Sequence, residues 1–300
     1  MSNILVSGLI NLETTLRVEG FPIEYSPVHY PFFGVKSTIS GVGFNVAKAL
    51  STLGDNVKLL SMVGNDLPGK LAFQAVEALK ISPIYLTTQL DQTPQSVILF
   101  DYEGNRQIYV DLKNIQDQKY PPELVDQALV RCELAVLCNI NFSRPWLKEA
   151  RSRNVLIATD VHAISDLEDP YNQDFMANAD ILFMSHENLP VEPGVWAQQV
   201  INRFRVEILV IGLGAGGALL AMKQDRSIEH IPPANIRPLV NTIGAGDALF
   251  SCFVHEYLQT KDPYYAIHRA VLFASYKIGD SGAADGFLDS SQLDQLSRKI

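Results

Sequence analysis

Asn241-Thr-Ile-Gly-Ala-Gly-Asp-Ala-Leu-Phe250 puts three small residues, Gly244, Ala245 and Gly246, at the start of a helical pattern that runs from Ala245 to Tyr257. Such a turn lets backbone N–H groups converge at a helix N-terminus, where the dipole contributes about +0.5 of a charge. That is an anion site with no need for a basic residue. Asp247 falls in the first helical turn beside it. A carboxylate next to a nest for developing negative charge suits phosphoryl transfer, as a base for an incoming hydroxyl and a clamp for the phosphoryl group. The residues alone fit an ordinary glycine turn equally well, with Asp247 favouring the helix start.

Upstream of this segment, short apolar runs alternate with amphipathic ones. Ile4–Val6, Val57–Val63, Leu134–Leu137, Val155–Ala158, Ile181–Met184 and Ile208–Ile211 read as strands. Val42–Leu53, Gly69–Leu79, Glu123–Arg131, Arg144–Arg151 and Trp196–Phe204 read as helices between them. Downstream the pattern stays helical, through Tyr264–Ile278 and Ser291–Leu296. This order predicts an α/β fold with a central, mainly parallel sheet flanked by helices. Two stretches break the rhythm. Thr15–Ile39 is rich in Pro, aromatic and β-branched residues, and Ser96–Leu112 reads as a hairpin around Glu103-Gly-Asn105. They are expected to pair as a small accessory sheet on one domain spanning residues 1–300, although an edge extension of the main sheet would also accommodate them.

Composition narrows the function. Of 300 residues, 19% are charged and 47% hydrophobic, which excludes a disordered chain and a coiled coil. A net charge of −9 argues against a surface that neutralises nucleic-acid phosphates or anionic lipid. Three cysteines without a CxxC pair give neither a disulfide framework nor a thiolate zinc site. The start lacks a basic, apolar leader, so a cytoplasmic protein is expected. The uncharged run Ile208–Met222 is shorter than the roughly 20 residues of a membrane helix. Four glycines (Gly212, Gly214, Gly216, Gly217) interrupt it, so it reads as two buried strands around a turn.

The segment 241–250 closely resembles the second motif of the ribokinase-like (PfkB) carbohydrate kinase family, D-T-x-G-A-G-D. Ser40-Gly-Val-Gly-Phe-Asn-Val-Ala resembles that family's G-G-x-x-x-N-x-A, and Val63-Gly-Asn-Asp-Leu-Pro-Gly its V-G-x-D-x-x-G. Gly8-Leu-Ile-Asn-Leu-Glu is similar to its opening strand, and Ile211-Gly-Leu-Gly-Ala-Gly-Gly to its nucleotide-side glycine loop. The five occur in the family's order and span almost the whole chain.

The resemblance implies an ATP-dependent kinase with Mg²⁺ that phosphorylates a hydroxyl of a sugar or a sugar-containing molecule such as a nucleoside. A sugar- or nucleotide-binding relative of low activity is the alternative. In the implied assignment Asp247 is the catalytic base, and the N–H groups of Gly244, Ala245 and Gly246 form the anion hole. Asn11, Glu13, Gly41 and Asn45 hold the acceptor, while Gly214 and Gly217, with Ser185 and Thr242, lie on the nucleotide side. The accessory strands, residues 15–39 and 96–112, become a lid that closes over the sugar and offers a homodimer surface. Closure excludes water that would otherwise compete for the γ-phosphate.

Four departures from the family pattern qualify this. Glu13 stands where Asp is usual, which moves the carboxylate by about one C–C bond. Ser40 replaces the first Gly of its motif, and Val42 stands where ribokinases proper have Lys. Asn241 replaces an Asp that in many members helps bind a monovalent cation; a neutral amide attracts K⁺ less, and K⁺ as a cofactor stays open. Ser185 and Asn188 fall where the family has N-x-x-E, a motif that tunes Mg²⁺ and phosphate binding. Asn188 and Asn241 are thus the candidate metal contacts, with Glu187 a neighbour that a one-position shift at a helix start would turn by about 100°.

Other signals are poorer. Gly212-Leu-Gly-Ala-Gly-Gly fits the G-x-G-x-x-G of a dinucleotide-binding dehydrogenase, but that fingerprint needs a helix next, and Ala218–Lys223 reads as a strand. No P-loop motif occurs, and the six histidines show no zinc spacing. His162 follows a strand and could line the cleft, but reads more readily as a satisfied surface or core residue. Arg106, near the tip of the hairpin, could reach phosphate or substrate, but reads more readily as a solvated charge.

Overall fold

Leu134–Leu137 and Ala218–Met222 contain no polar residue, and every side chain in both is buried. Strands apolar on both faces must be covered on both, which calls for a central sheet with helices on either side. The computed structural model describes residues 1–299 and has that arrangement. The first half runs β1 (Asn3–Ser7), β2 (Asn11–Arg17), β3 (Val35–Ser40), α1 (Val42–Thr52), β4 (Asn56–Gly64), α2 (Leu67–Ala78), β5 (Leu86–Leu90), β6 (Gln95–Phe100) and β7 (Arg106–Asp111). Then come α3 (Pro122–Leu129), β8 (Leu134–Leu137), α4 (Arg144–Ser152), β9 (Leu156–Ala163), α5 (Gln173–Asn178), β10 (Ile181–Ser185) and α6 (Pro193–Arg203). The chain closes with β11 (Ile208–Gly212), β12 (Ala218–Met222), β13 (Ile228–Ile231), α7 (Ala245–Thr260), α8 (Pro263–Lys277) and α9 (Ser290–Ser297).

The large sheet has the order β13-β12-β11-β10-β9-β8-β1-β4-β5. Its pairs are parallel from β11 through β5, and only β11–β12 and β12–β13 are antiparallel. One core lies between the sheet and α1, α2 and α7–α9, the other beneath α3, α4 and α6. Each fully buried Leu, Ile or Val side chain in them contributes roughly 1.5–3 kcal/mol. Among the described residues no helix is long and apolar enough to cross a membrane. The uncharged run forms the hairpin β11–β12, with the glycines at its turn.

A separate four-stranded sheet has the order β3-β2-β6-β7. Its strands do not follow the expected bounds. β2 begins at Asn11 and β3 ends at Ser40, so the first pair overruns the stretch 15–39 at both ends, while residues 18–34 form no strand. Pro22, Pro27 and Pro31 in that loop cannot donate to a ladder. The alternation of β2 is inverted relative to an ordinary amphipathic strand: its buried positions are Asn11, Glu13 and Thr15. Polar residues on an inward face have a ligand or a network to satisfy. β5, β13 and α5 were not anticipated; β5 (Leu-Thr-Thr-Gln-Leu) and β13 (Ile-Glu-His-Ile) are short edge strands with too little apolar content to stand out.

Candidate active site

The segment 241–250 forms the turn and helix start that its residues suggested. Gly244 is the N-cap of α7 with φ 76°, a left-handed conformation that glycine adopts without strain. A Cβ there would stand 2.1 Å from the carbonyl oxygen of Ala283. Behind the turn, Asn241 N–H donates to the Ile278 carbonyl (3.2 Å), and Ile98 of β6 packs with Ile243 and Ala283. This loop therefore rests on the segment 278–285 and is touched by the small sheet. The N–H groups of Gly244, Gly246 and Asp247 have no internal acceptor among the described residues. Ala245 differs from the expectation: its N–H turns back to the Thr242 carbonyl at 3.2 Å. In the open set of donors, Asp247 thus takes the place of Ala245.

Asp247 Oδ2 accepts a 2.7 Å bond from Asn45 Nδ2. Asn45 lies on the buried face of α1, whose N-cap Gly41 has φ 100° and runs so close to Leu9 that a Cβ would meet its carbonyl oxygen at 2.6 Å. Ser40 Oγ is 3.2 Å from Asn45 Oδ1 and 3.0 Å from Glu13 Oε2, with one proton to offer the two. A polar chain Glu13–Ser40–Asn45–Asp247 thereby links the small sheet to the helix start. Two of the departures from the family pattern, Glu13 and Ser40, are one hydrogen bond: the longer carboxylate reaches the added hydroxyl. Asn11 donates to Ser96 Oγ of β6 at 3.0 Å. Asn11 Oδ1 and Glu13 Oε1 are buried without a partner among the described residues.

Burial is the main cause that pushes the Asp247 carboxyl up, to about 6; the Asn45 bond and the nearby His162 and Lys277 oppose it, while Asp160 adds to it. Burial likewise raises Glu13, opposed by the Ser40 bond and assisted by Asp247. His162 is thus no remote surface residue. It is the penultimate residue of β9, with φ 58° and half exposed, and lies near enough to Asp247 to favour the ionised carboxylate. Ser185 and Gly212 end the parallel strands β10 and β11, where open α/β sheets form their crevices.

On the nucleotide side, Gly214–Gly216 make one turn of 3-10 helix and Gly217 leads directly into β12. The helix required by a dinucleotide fingerprint is absent there, which removes the dehydrogenase reading. His186 Nδ1 and His230 Nε2 bond the carbonyls of Gly212 (3.0 Å) and Gly216 (2.7 Å), positions the sequence left without a role. Ser185 Oγ accepts the Glu187 N–H at 3.1 Å in a turn. Residues 186–189 do not start a helix, since α6 begins only at Pro193, so the 100° argument against Glu187 does not apply. Arg106 is not a solvated charge either: its guanidinium donates to the Thr242 carbonyl (3.3 Å) and lies 3.7 Å from Glu187. With the Lys36–Asp285 pair (2.7 Å), it ties the small sheet to the loop before α7.

Neither candidate metal contact is placed to hold a metal on its own. Asn188 is exposed on the turn with φ 67°. Asn241 is buried, with its amide nitrogen on the Ser281 carbonyl (2.6 Å) and its oxygen on the Ile243 N–H (3.0 Å). Among the described residues no group of three or more His, Cys, Asp or Glu side chains is arranged to hold a metal ion.

The family model described as "pfkB family carbohydrate kinase" matches residues 1–290. The chain belongs to the pfkB family of carbohydrate kinases. It is 24% identical to a deoxyribokinase of Salmonella typhi, over 97% of both chains. It is 23% identical to the acarbose 7(IV)-phosphotransferase of an Actinoplanes species, again over 97% of both. Among solved structures, the microbiome-derived acarbose kinase Mak1 superposes with a TM-score of 0.88 at 25% identity, covering 98% of both chains. The ribokinase of Giardia lamblia gives 0.83 at 17% identity and 99% coverage of both, a likeness of fold. PfkB kinases such as ribokinase and deoxyribokinase are ATP-dependent phosphotransferases that act on sugar hydroxyls, and this kinase is of that class.

Proposed function

We propose that this pfkB kinase transfers the γ-phosphate of ATP to a hydroxyl of an uncharged sugar, free or as part of a glycoside or nucleoside. The observation that carries the reading is the pair of buried acceptors Asn11 Oδ1 and Glu13 Oε1, which have no partner among the described residues; Glu13 is joined through Ser40 and Asn45 to Asp247. Leaving such atoms unpaired costs about 1–3 kcal/mol each, and vicinal hydroxyls of a sugar are the donors that would satisfy them. The cationic groups of the first lid strands support an uncharged acceptor: Lys36 is paired with Asp285, and Arg17 lies 5.1 Å over the Tyr102 ring.

Asp247 would take the proton from the attacking hydroxyl, with Asn45 fixing the orientation of its carboxylate. The N–H groups of Gly244, Gly246 and Asp247 would hold charge on the phosphoryl group in transit. Mg²⁺ would neutralise phosphate charge, completed by water and by the exposed carboxylate of Glu187, a hard oxygen donor suited to it. The small sheet would act as the lid, held down by Arg106 and Lys36. Its outer face exposes Val97 and Tyr109, paired across β6 and β7, which supports a homodimer through the lid. Sedimentation at micromolar concentration is expected to give twice the chain mass; a monomer would refute this.

The test of function is ADP release from Mg-ATP with a panel of neutral sugars, glycosides and nucleosides, beside one of sugar phosphates and acids. Turnover is expected with a neutral acceptor only, and turnover confined to phosphorylated or acidic sugars would overturn the reading. A base must be ionised to act, so kcat/KM should rise with pH through about 6 and level off above it. A profile flat across that range would remove Asp247 from the role.

A further inference from the structure

Lys277, the last residue of α8, is the one lysine of the buried class among the described residues, with no exposed surface at all. It continues the buried stripe Ala266, Ala270 and Phe273 at helical spacing, so an ammonium stands where the pattern calls for an apolar group. A charge in that position needs partners. Its Nζ donates to the carbonyl of Ile243, and the carboxylates of Asp247, Asp285, Asp280 and Glu13 face it. Desolvation pushes its pKa down to about 8 against the pull of these four.

The site does not fit an added monovalent cation. The Ile243 carbonyl is occupied by the ammonium, and the Asn241 side-chain oxygen by the Ile243 N–H. A second cation there would face a buried positive charge. We propose that Lys277 is the built-in monovalent cation of the anion loop, and that this chain needs no K⁺ to organise it. The link to chemistry is a single peptide group. The Ile243 carbonyl and the Gly244 N–H belong to the same amide, so a cation bonded to the oxygen polarises the N–H into a stronger donor towards phosphate. Lys277 acts through that amide and is a positioning residue. This rests on the kinase reading above, since it presumes that the loop binds the phosphates of ATP.

The test is calorimetric binding of the magnesium complex of AMP-PNP in equal concentrations of potassium, ammonium or tetramethylammonium chloride, with melting temperatures in each salt. The wild type is expected to bind equally well in all three, within about twofold. Lys277→Ala should bind at least about tenfold more weakly in tetramethylammonium and recover most of the loss in ammonium or potassium. Lys277→Met should lose as much but recover nothing, because its side chain fills the space. A purely structural lysine would give losses blind to the cation, and that result overturns the proposal. So does a wild type that binds tenfold or more tightly in potassium, an outcome that needs no variant and decides the matter even where Lys277→Ala does not fold. A wild type that binds no nucleotide in any salt defeats the kinase reading itself and takes this proposal with it, and is distinguishable from the other results.

Discussion

Asp247→Asn is expected to keep Mg-ATP binding and to lose about 10²–10⁴-fold of acceptor-dependent ADP release. The amide is isosteric with the carboxylate and still meets the Asn45 side chain, so helix α7 and the loop before it keep their positions. It cannot take a proton. The loss should therefore fall on kcat, with the acceptor KM nearly unchanged, because Asn11, Glu13 and Asn45 remain. The acid limb of the pH profile should vanish with it. Single-turnover measurements on a responsive acceptor separate the chemical step from binding. Turnover equal to wild type would mean that the proton leaves by another route.

Gly244→Ala is expected to cost about 10²–10³-fold in kcat, as removal of an oxyanion donor does. Two independent strains act at this position. The backbone is left-handed, with φ 76°, and the new methyl would stand 2.1 Å from the Ala283 carbonyl oxygen. The chain relieves both by moving the turn, which draws the Gly244 and Gly246 N–H groups out of register with the phosphoryl oxygens. Strain of this kind is worth about 1–3 kcal/mol, enough to lower the melting temperature by several degrees. Gly246→Ala is the control: no atom lies within 4 Å of a Cβ there, and the melting temperature should not move. Equal activity in Gly244→Ala and wild type would show that the loop does not hold the phosphoryl group.

The parallel sheet was legible because its strands are apolar on both faces; Leu134–Leu137 is a strand at the very bounds its residues predict. The helix start at Ala245 was legible for the opposite reason, a cluster of residues too small to serve any other purpose. Edge strands β5 and β13 carried too few apolar residues to be seen. The bounds of the small sheet were harder to read, because β2 alternates with its polar residues Asn11, Glu13 and Thr15 inward, the reverse of an ordinary amphipathic strand. The partners of Arg106, Thr242 and Glu187, could not be read because they are distant in sequence and no local pattern reports such contacts. Lys277 did leave a local trace. Ala266, Ala270, Phe273 and Lys277 lie at spacings of four, three and four, and a lysine closing an apolar stripe announces a buried charge.

The hydrogen bond between Glu13 and Ser40 couples two positions of the proposed acceptor site. Removing the hydroxyl alone would take the donor from a buried carboxylate oxygen, while shortening the acid alone would leave the hydroxyl with only Asn45 Oδ1 to bond. Because Ser40 also touches Asn45, either single change is felt at Asp247. If the proposed acceptor site is to be re-aimed, residues 13 and 40 are best varied together, since a library that varies one at a time would pass over compensated pairs.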